Sequence, residues 1–171
     1  MCFLFVQAVL VVAFSILLPR AVLASASGRL VISITDSKGR LLEEAVVFLI
    51  PQQKEIADKA KTADRQFEIA QKNKEFQPSV LAVQTGSTIR FPNLDEVKHN
   101  VYSFSPAQNI DIPLYSSSEK KIPEQKFEKP GIVVIGCKIH DWMISYIYVV
   151  DSPYFAVSKN GLAQTEKVPF G

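Results

Sequence analysis

The chain has 171 residues, with 19 Lys and Arg against 17 Asp and Glu and a formal net charge of +2 at pH 7. Charges of both signs are scattered along it, so no basic or acidic tract marks it for nucleic acid or a membrane surface. The length suits one domain with a proper core, and two His, two Cys and two Met in all leave few soft ligands for any metal chemistry.

Residues 3 to 18 are almost wholly apolar, Pro19-Arg20 ends the run, and the small residues Ala21, Ala24, Ser25, Ala26 and Ser27 follow. This is the pattern of a secretory signal over residues 1–24, with cleavage expected after Ala24 or Ala26. The expected location is therefore the periplasm or another exported compartment. No Lys or Arg precedes the run, and its length approaches the roughly 20 apolar residues of a spanning helix, so an uncleaved anchor is the alternative. Cleavage predicts no stable membrane insertion. It also leaves Cys137 as the sole thiol, with no internal disulfide partner and in need of another explanation.

From Gly28 the pattern turns to strands. Leu30, Ile32 and Ile34 alternate with Val31, Ser33 and Thr35 before an Asp36-Ser37-Lys38-Gly39 turn. A β-branched run, Ala45 to Ile50, closes on Pro51 as a second strand. Gln52 to Ala63 is polar, a short helix or an exposed loop with no assigned chemistry. Phe67 and Ile69 at period two predict a strand before Lys72-Asn73-Lys74. Ser79–Thr85 and Thr88–Phe91 flank Gly86-Ser87 as a hairpin signal, and Pro92-Asn93-Leu94-Asp95 turns the chain ahead of His99.

Val101 to Phe104 continue as a strand, whereas Ser105 to Glu124, with three prolines and a serine run, reads as irregular. Lys126 to Glu128 predicts an edge, Pro130-Gly131 a tight turn, and Ile132–Ile135 a buried strand leading into Gly136 and Cys137. Ile144 to Val150 is the last clear strand, and the tail after Pro153 carries weak signals. Many short strands separated by Gly, Pro and Asn turns predict an all-β sandwich, one domain over residues 28–156 with a short C-terminal tail, 157–171.

Chemistry concentrates at Gly136-Cys137-Lys138-Ile139-His140-Asp141-Trp142-Met143, a Cys-x-x-His-x-x-Met string, with His99 upstream. A buried Cys or Met alone is usually core filler, and a lone His is usually a hydrogen-bonded structural residue. Together, His99, Cys137, His140 and Met143 account for every His, Cys and Met beyond the leader. Two imidazoles, a thiolate and a weak axial thioether are the ligands of an electron-transfer copper site. Zinc suits Cys and His as well, but the thioether favours copper. An enzyme is disfavoured, because two His cannot furnish further catalytic coppers. A copper-delivery protein without electron turnover and a metal-free interaction sandwich remain the alternatives.

With His99-Asn100 upstream, Cys137-x-x-His140-x-x-Met143 resembles the cupredoxins, most closely the short ligand loop of amicyanin. Phe91-Pro92-Asn93 through Ser105-Pro106, and Gly136 through Phe155, resemble bacterial cupredoxin-like proteins often labelled methylamine utilization proteins. The resemblance covers residues 78 to 156 well and 28 to 77 loosely. It implies a plastocyanin-like Greek-key β-sandwich, one type 1 copper ion and a redox protein partner docking near His140. It also implies that Asn100 ties the two ligand loops together. Trp142, the only Trp, is a cover for the metal, a part of the docking patch, or ordinary core packing. Core or rim packing is expected for Phe104, Pro106, Tyr115 and Tyr154.

Overall fold

The computed structural model describes residues 27–52 and 64–169. The expected signal segment and nearly all of the polar stretch after Gln52 lie outside them. Every regular element among the described residues is a strand. In chain order these are β1 (Ser27–Ser33), β2 (Val46–Phe48), β3 (Gln66–Glu68), β4 (Ala70–Lys72), β5 (Glu75–Gln77), β6 (Val80–Gln84) and β7 (Thr88–Arg90). There follow β8 (His99–Ser105), β9 (Gln108–Tyr115), β10 (Glu124–Lys126), β11 (Gly131–Cys137), β12 (His140–Val150), β13 (Phe155–Val157) and β14 (Leu162–Pro169).

Two sheets make the sandwich. The larger has the order β6-β12-β11-β8-β9 and the smaller β10-β7-β3, while β1–β14, β2–β13 and β4–β5 are separate two-stranded pairs. Pairing is antiparallel except for β6 with β12 and β3 with β7. Successive side chains of a strand point to opposite faces. On β11, Val133, Ile135 and Cys137 therefore turn inward, and on β12 so do Met143, Ile147 and Val149. They meet Ile69, Ile89, Phe91, Val101 and Phe127 in one buried core. The alternate residues Ile132, Val134, Ile144 and Tyr146 are exposed on the outer face.

Three expectations change. The stretch from Ser105 to Glu124 is not irregular throughout, because β9 lies along β8 with Val101 opposite Ile112 and Ser103 opposite Ile110. Its Pro113 is tolerated because β9 is the sheet edge, where a missing N–H breaks no ladder. Gly86-Ser87 does form a turn, with the Ser87 N–H on Gln84 O at 3.1 Å and Gly86 at φ 92°. It does not close a hairpin: β6 belongs to the larger sheet and β7 to the smaller, so the turn carries the chain between layers. Alternation reports that a strand is half buried, not which sheet receives it. Finally, residues 162–169 of the expected tail are a strand that supplies the partner of β1.

Candidate metal centre

Strand order brings the key residues together. β8 and β11 are antiparallel neighbours, with Gly136 opposite Tyr102, so the start of one lies beside the end of the other. His99 opens β8 and Cys137 closes β11, and both are buried, at 0% and 2% exposure. Lys138-Ile139 then returns the chain to His140, which pairs with Cys137. The β11–β12 register steps from Gly136↔Ile144 to Cys137↔His140, leaving Asp141, Trp142 and Met143 without partners opposite. This bulge lets a half-buried His140 face the sulfur while Met143 returns to the core at 1% exposure.

Cys137 Sγ lies 3.8 Å from His99 Nδ1 and 3.8 Å from His140 Nδ1. One donor atom from each of the three residues falls within 4.8 Å of the others. Bonds of about 2.0–2.1 Å to nitrogen and about 2.3 Å to sulfur, meeting at about 120°, put nitrogen and sulfur about 3.7–3.8 Å apart. The two sulfur–nitrogen separations therefore suit one ion held between the sulfur and each imidazole. Met143 belongs to the same buried cluster as Cys137.

Hydrogen bonds orient these donors. His99 Nε2–H donates to Asp95 Oδ2 at 2.8 Å, which leaves Nδ1 bare toward the sulfur. Asn100 Oδ1 accepts the Lys138 N–H at 2.8 Å and lies 3.4 Å from Cys137 Sγ, so it joins the start of β8 to the Cys137–His140 turn. Burial pushes the Asp95 carboxyl up, but N–H groups of Lys74, His99 and Asn73 outweigh it and hold the group below its ordinary value. Desolvation, then the nearby His99 and Lys74 charges, holds His140 below the usual imidazole value, with Asp95 opposing.

Trp142 is not core packing. It is 66% exposed, its ring centroid stands 5.3 Å from that of His140, and its Nε1–H donates to Lys74 O at 3.1 Å. Tyr115 is buried, its hydroxyl donating to Phe91 O at 2.6 Å and accepting from Gln71 Nε2. Burial raises its pKa, against the Gln71 hydrogen bond and with the Cys137 charge. Phe104, by contrast, is 77% exposed and tilts against Tyr102 on the outer face. The sequence reading missed Asp95. The acid four residues before His99 is a faint signal, and only the turn between them brings it onto the ring.

Two imidazole nitrogens and a thiol, gathered within 4.8 Å of one another in a β-sandwich, form a donor set that fits a single copper ion. No protein-family model matches the chain, and no curated protein matches it significantly. Solved structures to which it is similar include the following. A reduced amicyanin variant has 19% identity over 52% of this chain and 85% of its own, with a TM-score of 0.46. A purple cupredoxin from Nitrosopumilus maritimus has 25% identity over 51% and 100%, with a TM-score of 0.42. A copper-containing nitrite reductase from Thermus scotoductus has 24% identity over 48% of this chain but only 22% of its own length, with a TM-score of 0.45. All three scores lie below 0.5, and what the centre can hold follows from its own side chains.

Proposed function

We propose that this chain is an exported electron carrier that holds one copper ion with His99, Cys137, His140 and Met143. The observation that carries the proposal is the pair of equal 3.8 Å separations from one buried sulfur to two imidazole nitrogens. Bound copper would supply the one-electron Cu(II)/Cu(I) couple. The protein's part is to keep the donors still: Cys137 and His99 sit on adjacent strands of one sheet, and the Asn100–Lys138 hydrogen bond links their ends. Rigid donors serve both oxidation states with little rearrangement. Met143, in the same buried cluster as Cys137, would supply the thioether in this reading.

His140 is the imidazole nearest solvent, and exposed Ile139 and Trp142 flank it. That rim is the proposed docking surface for a redox protein, with exposed Asp141 an acidic contribution to partner choice. Export rests on the apolar run and small residues before Ser27. Copper delivery is less well supported, because exchange calls for exposed ligands and three of these four are buried. Catalysis at a second copper is disfavoured because both His of the chain already stand in one cluster. The test is the visible spectrum of the protein loaded with Cu(II). An intense thiolate-to-copper band that bleaches on reduction and is missing from Cys137→Ser is expected; a variant that stays blue ends the assignment.

A further inference from the structure

The two imidazoles are reached from a single point outside the ligand strands. β4 and β5 are joined by Asn73 and Lys74, both with positive φ (57° and 58°), the geometry of a two-residue type I′ hairpin turn. Their two N–H groups grip one carboxylate: Asn73 N donates to Asp95 Oδ1 at 2.7 Å and Lys74 N to Asp95 Oδ2 at 2.8 Å. That carboxylate accepts the His99 Nε2–H. The carbonyl of Lys74 accepts the Trp142 Nε1–H, and the Trp142 ring leans on His140. The donors of one peptide turn thus lead to the buried imidazole and its acceptor to the half-exposed one.

We propose that the Asn73–Lys74 turn is a clamp that positions both imidazoles of the centre, His99 through Asp95 and His140 through Trp142. A lysine at positive φ is uncommon, since a Cβ crowds the backbone there, and the I′ turn requires that conformation of both its central residues. The turn acts through backbone N–H and C=O alone, so the side chains at 73 and 74 are dispensable to it. Asp95 is a positioning residue: it holds the Nε2–H tautomer of His99 and leaves Nδ1 free to ligate. The consequence for potential rests on the copper reading above. An anion hydrogen-bonded to a ligand imidazole favours the more highly charged oxidised ion, and partners of this kind contribute about 10–100-fold to metal affinity.

Three variants test the clamp, in metal-free and copper-loaded protein. Asp95→Asn places an amide NH₂ among three N–H donors that a carboxylate satisfied. In metal-free protein above the imidazole titration range, long-range ¹H–¹⁵N NMR is expected to show the Nε2–H tautomer of His99 in the wild type and its loss in Asp95→Asn. With copper, Asp95→Asn is expected to weaken Cu(II) binding about tenfold relative to Cu(I), raising the potential by about 59 mV for one electron. Trp142→Phe keeps a ring but loses the donor to Lys74, and should perturb the His140 ring signals while sparing His99. Asn73→Gly keeps every backbone contact and the charge of the turn, and should leave tautomer, ring signals and potential at wild-type values. An unchanged tautomer or an unchanged potential in Asp95→Asn overturns the Asp95 arm, unchanged His140 signals in Trp142→Phe overturn the other, and a potential shift in Asn73→Gly overturns the backbone account. Should the wild type take up no copper, the carrier reading fails, while the metal-free tautomer still decides the clamp.

Discussion

Asn100 is 2% exposed and holds one strong contact, its Oδ1 on the Lys138 N–H at 2.8 Å. A buried amide tolerates such a position only when its polar atoms are paired. Asn100→Ala removes the acceptor and frees the turn between Cys137 and His140. Stability is expected to fall by about 1–2 kcal/mol in urea titration of the metal-free protein, together with a loss of copper affinity. An unaltered affinity would show that the turn holds its shape without this bond. Residues of this kind differ in how much they disclose before folding. His99, Cys137, His140 and Met143 stand out because the chain after residue 26 has no others of their types. Asp95 is one carboxylate among many, and it matters only because the turn from Asn93 brings it back to His99, with Asn93 Oδ1 accepting the Asp95 N–H at 2.9 Å.

Among the elements, turns decided what was legible. Asp36-Ser37-Lys38-Gly39 was readable, and its cause is local: Asp36 Oδ1 accepts the N–H groups of Lys38 (2.8 Å) and Arg40 (2.9 Å). Those contacts, the Arg40 backbone first, hold the Asp36 carboxyl below its ordinary 3.8. A lowered folded value means a contribution present above pH 3.8 and lost as pH falls through the depressed value. Asp36→Ala is therefore expected to unfold at a lower temperature than wild type near neutrality, with the gap closing in acid; a gap independent of pH would refute the assignment. Asn160-Gly161, an Asn-Gly pair of the kind that closes hairpins, stands in the stretch after Pro153 that carries only weak strand signals. Both have positive φ, Lys159 and Leu162 exchange N–H···O bonds at 2.9 and 3.0 Å, and β14 is returned to β1. A Cβ on Gly161 would stand 2.6 Å from Leu41 Cβ. Gly161→Ala is expected to cost about 1 kcal/mol or more, readable as a lower denaturant midpoint.

Across the whole molecule, the centre is an extension of the core rather than a loop folded around an ion. Cys137 and Met143 pack in the same buried cluster as Ile135, Ile147 and Val149, and burying a side chain the size of Met contributes about 1.5–3 kcal/mol by itself. His99 is anchored by Asp95 and Asn100 by Lys138 without any metal. The fold should therefore precede the ion, unlike small domains that exist only with their metal bound. Metal-free protein is expected to unfold cooperatively, and Cu(II) should raise its unfolding temperature by mass action, worth about 2.7 kcal/mol when free ion exceeds the dissociation constant 100-fold. Cys137→Ser should keep the metal-free transition near its wild-type position, since a hydroxyl can take the sulfur's place beside Asn100 Oδ1, 3.4 Å away. It should lose most of the copper-dependent rise. Calorimetry on both proteins, with and without copper, separates the possibilities: a wild-type chain that is unfolded without metal would contradict a preformed centre, and an equal rise in Cys137→Ser would place the ion elsewhere.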